Sequence, residues 1–387
     1  MSHTLVLSST FPQWENDPRG AFILRHWEQE GERSGQTIRA LVPRTVGSTE
    51  SQHSTVQIER FNYAPRRLSS LTGHFGVLEN IRERPWRAGL VPLFCVAQAA
   101  ALRRRLRMKD RPSLVVAHMM LPCGWIVARE CVRAGVPFCI YGHGSDVDLL
   151  LRLPAWFRQR FLVWLQHAET VFLPSKQKLD RFVAGLGLAQ LPEHFQVEAM
   201  LKSVPRPGPR WLARRPVDGE RRRVLFVGRL IRQKGVDLML EAAARRSADA
   251  YFDVAGDGPE RDRLEALSAR LGLDVRFHGY LPQSKIAGLY SRAHLVCVPS
   301  RESSFLSEGA PLVIPEARAY RVPVLATAVG GIPELCAGDE QAMVVGPDDV
   351  EAFSIGMERL LRQCSTHPHV GCASLRQVGL TAPSLAC

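Results

Sequence analysis

The sequence predicts an α/β protein made of two doubly wound, Rossmann-like domains facing a central cleft. Three observations predict it. The chain has 387 residues, about two to three ordinary domains and enough for two cores. Short apolar runs alternate with longer amphipathic stretches in both halves, which is the pattern of parallel strands joined by crossover helices. A segment rich in proline and arginine, 202–222, breaks that rhythm once. Ligands of such sheets bind beyond the carboxyl ends of the strands, so two facing sheets place a cleft there.

The elements follow in order. In the first domain, 1–201, short apolar runs at 4–8, 38–42, 114–117, 138–141 and 171–174 read as strands. Longer stretches at 21–34 and 124–134 read as helices. Region 45–111 carries aromatic and basic residues with weak periodicity, and no element is assigned to it. The linker 202–222 holds four prolines and two glycines. In the second domain, 223–365, strands are expected at 223–227, 250–255, 275–278, 295–299 and 324–327. Helices at 236–245, 260–271, 285–291 and 312–319 alternate with them. The tail 366–387 has no clear element.

Composition narrows the function classes. Apolar residues make up 45 % and charged residues 23 %, which excludes disorder, collagen and coiled coil. No window of about 18 residues is uninterruptedly apolar, so no membrane-spanning helix is expected. The start, MSHTLVLSS, lacks a basic stretch and reads as a first strand, not as a signal peptide. The net charge is +12, and only six of the 50 basic residues are lysines. Such a balance fits an arginine-rich solvated surface, or a polyanionic partner: nucleic acid, an acidic membrane face or a phosphorylated substrate. Nine cysteines, none in a C-x-x-C pattern, weaken a zinc reading and suit reduced thiols in the cytoplasm.

Three motifs carry the chemistry. The run 227–235, VGRLIRQKG, follows a strand and precedes a helix. Its glycine allows close backbone approach, a helix start favours anions, and Arg229 and Lys234 add two cations. It suits a diphosphate, although a plain strand-to-helix turn with solvated charges remains open. The run 252–260, FDVAGDGPE, lacks the third glycine of a dinucleotide fingerprint and reads as a structural turn. In 307–317, SEGAPLVIPEA, Glu308 and Glu316 can accept from vicinal sugar hydroxyls. The backbone N–H groups of Gly309, Ala310 and Leu312 are expected at a helix start, where Pro311 has none to offer. Glu316 is expected a turn or two inside that helix, within an apolar run, where an unpaired carboxylate would be costly.

Taken in order, V-G-R-x-x-x-Q-K-G, A-G-D-G-P-E, H-G-Y with a following P-S, E-x7-E and G-G-I-P-E resemble the retaining glycosyltransferases of family 4, with the GT-B fold. That resemblance covers 223 to about 347. It implies that Arg229 and Lys234 hold a nucleotide diphosphate. It also implies that Glu308 contacts the transferred sugar, Glu316 the ribose hydroxyls, and 278–281, with Tyr280, the base. The first half resembles the family more loosely. Its first loop, 11–22, would let Gly20 bring the backbone to the diphosphate. The run 117–124, AHMMLPCG, and the run 141–146, YGHGSD, resemble the family's middle motifs. Through the latter, the resemblance puts His143 beside the sugar and makes Asp146 an organiser of that loop. Asp146 and Asp148 imitate a D-x-D metal motif, but no metal is expected, because Arg229 and Lys234 already supply the charge. Two departures stand out. Segment 198–205 lacks the family's P-N-G-V-D-like turn, and the chain's end lacks its last helix pattern.

The function so implied is metal-independent, retaining hexosyl transfer from a nucleotide diphosphate sugar, with no other cofactor. The acceptor would be a saccharide or a lipid-linked acceptor, in bacterial cell-surface polysaccharide biosynthesis. The alternatives are a GT-B sugar epimerase or a phosphorylase, and a basic nucleic-acid-binding protein. Arginines spread over both halves and the lack of a known module argue against nucleic acid. An anionic membrane surface is a further expected partner, placing the enzyme in the cytoplasm at the membrane's inner face. In 153–165, LPAWFRQRFLVWL, Trp156, Arg160 and Trp164 share a helix face. A core helix with flanking charge explains the same pattern.

Overall fold

The computed structural model describes residues 3–15, 17, 19–49, 55–72, 77–200, 203, 204, 207–212, 221–247, 249–302 and 308–366. The first domain's strands are β1 (His3–Ser8), β2 (Thr37–Pro43), β3 (Val56–Phe61), β4 (Leu114–His118), β5 (Phe138–Tyr141), β6 (Thr170–Leu173) and β7 (Phe195–Val197). They form one parallel sheet in the order β3-β2-β1-β4-β5-β6-β7. The second domain's strands are β8 (Arg223–Val227), β9 (Tyr251–Ala255), β10 (Asp274–Gly279), β11 (Leu295–Val298), β12 (Val324–Thr327) and β13 (Ala342–Val345). They form a second parallel sheet, in the order β10-β9-β8-β11-β12-β13.

Both sheets are buried on both faces, which is why their strands read as unbroken apolar runs. The two-residue period of a strand sends alternate side chains to opposite cores. Leu5 and Leu7 join Phe94, Leu102, Val127 and Phe161 on one side of the first sheet. Val6, between them, joins Ile23, Trp27 and Tyr141 on the other. In the second sheet, Val224 and Phe226 face the helices Val236–Arg246 and Val350–Thr366. Leu225 faces Tyr290, Ile314 and Tyr320.

Region 45–111 departs from the sequence reading. It supplies β3 and a 17-residue helix, Leu90–Leu106. That helix is apolar on most sides: Leu90, Phe94 and Leu102 enter the core, while Leu93 and Val96 stay exposed. No polar stripe marks its outer face, so the helical period is weak in the sequence. With the preceding turn, Pro85–Leu106 is long and apolar enough to cross a membrane, by length and composition alone. The search for uninterrupted apolar runs missed it because Arg87 and Gln98 break the run. Its buried face belongs to the first sheet's core.

Of the expected linker, 213–220 lies outside the described residues, and Trp211 packs against the second domain. The tail from 367 onward also lies outside them. The helix Val350–Thr366 ends the described chain, with Phe353 and Met357 in the second core. Cys95, Cys123, Cys131, Cys139, Cys297 and Cys336 are free thiols.

The two domains touch across the cleft. The Glu334 carboxylate accepts from the backbone N–H groups of Lys176 (2.7 Å) and Gln177 (2.8 Å). These open the helix Lys176–Gly185, where unpaired donors and the helix dipole favour a carboxylate. A Cβ on Gly309 would lie 2.8 Å from the His143 carbonyl oxygen, and one on Gly331 would lie 2.7 Å from Ser175 Cβ. Only glycine permits this seam.

Candidate active site

The site forms where both sheets reverse their strand order, beside the β1/β4 and β8/β11 pairs. After β8 the chain turns at Gly228 and runs through a short 3₁₀ turn, Arg232–Lys234. Gly235 follows with φ 63°, and a Cβ there would lie 1.9 Å from the Pro299 carbonyl oxygen. This contact brings Lys234 beside Ser300, after β11. The AGDGPE loop braces the same turn. A Cβ on Gly256 would lie 1.8 Å from the Gly228 oxygen, and Leu230 N–H donates to Asp257 O at 2.9 Å. Its glycines are occupied with loop-to-loop packing, as the structural-turn reading expects.

Lys234 Nζ donates to Glu308 Oε1 at 2.6 Å, and Ser300 Oγ donates to the same oxygen at 2.9 Å. Burial pushes the Glu308 carboxyl up, but Lys234, Ser300 and the Arg229 charge outweigh it and hold it below its usual range. Glu308 therefore stays ionised. The G-G-I-P-E motif lies beneath it: a Cβ on Gly330 would meet Glu308 O at 2.0 Å. Arg229 also acts on Tyr280, which is partly exposed beyond β10.

The helix that carries Glu316 runs Val313–Ala319, within a residue of the expected 312–319. Leu312 is its cap, whereas Gly309 and Ala310 lie ahead of it, and Gly309 O accepts from Gly331 N–H. Glu316 thus sits in the first turn rather than one or two turns inside. Its carboxylate is buried and accepts from the Tyr290 hydroxyl at 2.9 Å. Arg25, from the first domain's helix Ala21–Ser34, stands 3.8 Å away. Burial outweighs both partners and raises the Glu316 pKa.

Gly20 caps the helix Ala21–Ser34 with φ 68°, and its missing Cβ makes room for the Thr10 carbonyl. Pro18, in the same predicted loop, and Ser307 lie outside the described residues. His143 follows β5, and its carbonyl backs onto Gly309. Asp146 accepts from the N–H groups of His143 (2.9 Å) and Met120 (2.6 Å), so it ties the loops after β4 and β5 together. Asp148 instead pairs with buried Lys178 at 2.6 Å. The two carboxylates of the D-x-D imitation are thus directed to different protein partners.

The sequence reading did not name Arg25, Tyr290, His118 or Trp27. Ser300 appeared only as the P-S after H-G-Y. Tyr290 was legible in principle, since a carboxylate inside an apolar run demands a buried donor. Arg25 carries no local signal, because its partner lies in the other domain.

Residues 209–370 match the family described as Glycosyl transferases group 1. That match covers the second domain and less than half of the chain. A Bacillus subtilis (strain 168) protein named as a teichuronic acid biosynthesis glycosyltransferase, TuaC, is 28% identical over 285 residues. That match covers 70% of this chain and 67% of TuaC. Alpha-D-kanosaminyltransferase of Streptomyces kanamyceticus is 37% identical over 143 residues, 36% of each chain. The chain thus spans about two thirds of TuaC but only about a third of the kanosaminyltransferase. Among solved structures, sucrose-phosphate synthase from Thermosynechococcus elongatus superposes with a TM-score of 0.69 at 19% identity, covering 94% of this chain and 91% of that one. Anabaena HepE in complex with UDP-glucose gives 0.63 at 17%, covering 94% and 90%. These likenesses show the fold: the two facing parallel sheets form a GT-B architecture.

The raised pKa of Glu316 gives a pH-dependent prediction. Folding favours its protonated form, so the stability this proton contributes is complete below the ordinary value of 4.5 and is lost as pH rises through the raised one. Glu316→Gln should therefore gain in Tm relative to wild type between pH 4.5 and 7. A constant Tm difference across that range would show that Glu316 does not carry this burden.

Proposed function

We propose that the chain transfers a sugar from a nucleotide diphosphate sugar to a saccharide or lipid-linked acceptor, with retention and without a metal. The observation that carries this reading is the Lys234–Glu308–Ser300 cluster at the carboxyl ends of β8 and β11, backed across the cleft by the His143 loop. The group 1 match over the same residues, and a fold neighbour solved with UDP-glucose, support it. A relative named for teichuronic acid biosynthesis supports a cell-surface polysaccharide as product.

In this mechanism Arg229 and Lys234 bind the diphosphate, and Glu308 faces the sugar. The anomeric carbon–diphosphate bond breaks as a bond to the acceptor oxygen forms on the same face. The acceptor's hydroxyl proton passes to a leaving diphosphate oxygen, so no protein nucleophile is needed. Cations placed where the charge develops stabilise the transition state. Glu316 serves the ribose hydroxyls, Tyr280 the base, and Leu312 and the glycine loops supply backbone at the phosphates. Gly20 approaches from the first domain. No cofactor beyond the donor takes part. Metal independence is supported by the assignment of Asp146 to the His143 loop and of Asp148 to Lys178.

Lys234→Ala and Arg229→Ala should each weaken diphosphate binding, measured by calorimetry, by about 1.5–3 kcal/mol, the worth of a hydrogen bond to a charged group. Folded variants with wild-type affinity and turnover would sink the assignment.

Chelator should leave most of the transfer rate intact. Loss of activity that magnesium or manganese restores would return Asp146 and Asp148 to consideration as ligands.

A membrane surface and a cytoplasmic location belong to the same proposal. On the helix Ala155–Leu165, Trp156 is 71% exposed, whereas Trp164 lies against Trp125, with ring centroids 4.4 Å apart. The helix is therefore shared between surface and core. Trp156→Ser should reduce sedimentation with anionic vesicles at low salt and leave nucleotide affinity unchanged, while Trp164→Ser should lower Tm. Undiminished vesicle binding by Trp156→Ser would remove this helix as the contact.

A further inference from the structure

His143 is the end of a chain of rings. Trp27 Nε1 lies 2.7 Å from His118 Nε2, and His118 Nδ1 lies 3.0 Å from His143 Nε2. Trp27 and His118 are buried, on the helix Ala21–Ser34 and at the end of β4. An indole N–H can only donate. His118 Nε2 is therefore its bare nitrogen, and its proton sits on Nδ1. That N–H donates to His143 Nε2, which is bare in its turn. The proton of His143 must then sit on Nδ1.

The alternatives are excluded by counting protons. A proton on His143 Nε2 would face the N–H of His118, or would require a His118 with no proton at all. An imidazolium at either ring would set donor against donor and break a buried hydrogen bond. Burial also pushes both rings toward the neutral form, His118 most strongly. Asp146, which would favour a cation at His143, already accepts from that residue's backbone N–H. Among the described residues, none accepts from His143 Nδ1.

We propose that Trp27 and His118 are positioning residues that lock His143 in its Nδ1–H tautomer, so that it offers the sugar a neutral hydrogen-bond donor and not a base. The proposal rests on the transferase reading and deepens it. The group His143 meets is a hydrogen-bond acceptor, such as a hydroxyl oxygen of the transferred sugar. His143 then takes no proton during transfer, which agrees with that proton leaving on the diphosphate.

The test is the tautomer itself. The full chain labelled with ¹⁵N-histidine should give, in long-range proton–nitrogen correlation spectra at pH 7, two rings with protonated Nδ1 and bare Nε2. His143→Gln and His118→Leu assign them by loss of signal. Trp27→Phe should release His118, and with it His143, toward the Nε2–H form preferred by free histidine. Turnover should fall about tenfold, the worth of one hydrogen bond. His118→Gln, whose amide can both accept and donate, should retain more activity than His118→Leu at matched Tm. An Nε2–H or doubly protonated His143 in the wild type overturns the proposal, and so does a Trp27→Phe spectrum with unchanged tautomers. If Trp27→Phe does not fold, the wild-type spectrum alone decides. Nδ1–H rings in a chain that neither binds nor turns over nucleotide sugars would sink the transferase reading and leave the relay standing.

Discussion

The ion pair between Lys234 and Glu308 is the constraint around which the second domain is arranged. A partly buried carboxylate and ammonium survive only if each keeps its partner, because an isolated charge there carries a desolvation cost. Gly235 has to lie against the end of β11 so that Lys234 reaches across, and Gly330 has to lie beneath Glu308 to hold its backbone. Ser300 satisfies the same oxygen. In the proposed reaction the pair also occupies the cation that a diphosphate would need, so donor binding would exchange partners at Lys234 and leave Glu308 with less positive charge beside it.

The two carboxylates of the E-x7-E motif have opposite electrostatic settings. Cations keep Glu308 ionised despite its burial, whereas burial overcomes Tyr290 and Arg25 at Glu316. A group facing a sugar whose charge changes benefits from a fixed negative charge. A group that holds hydroxyls by accepting hydrogen bonds needs orientation more than charge, and Tyr290 supplies it. Arg25, approaching from the other domain, makes the setting of Glu316 depend on how the two halves sit together.

What was legible in the sequence was what repeats locally. Strands buried on both faces announce themselves as apolar runs, and glycines forced by close backbone contacts keep fixed distances from the charges they position. Lys234, Glu308 and the G-G-I-P-E turn were joined only through the order of motifs that carries the family resemblance. The helix Leu90–Leu106 could not be read, because its outer face is as apolar as its inner one. Arg25, Trp27 and His118 were equally silent. Their partners lie far along the chain, and no spacing encodes a contact that only the folded sheet creates. Gly309 and Ala310 were expected at the start of the helix Val313–Ala319, but they stand ahead of it, because Gly309 serves the seam between domains.

Beside the Glu334 contact, the second domain's side of that seam is bare backbone at two points. Where Gly309 meets the His143 carbonyl and Gly331 meets Ser175, the second domain presents no side chain of its own. At these two points glycine hydrogens set how near the halves lie. A spacing of this kind is indifferent to what decorates the rest of either surface. Loops and helices elsewhere on either half can change without recalibrating the spacing at these two points. A chain so built can diversify most of its cleft walls while the distance between them at the seam stays fixed.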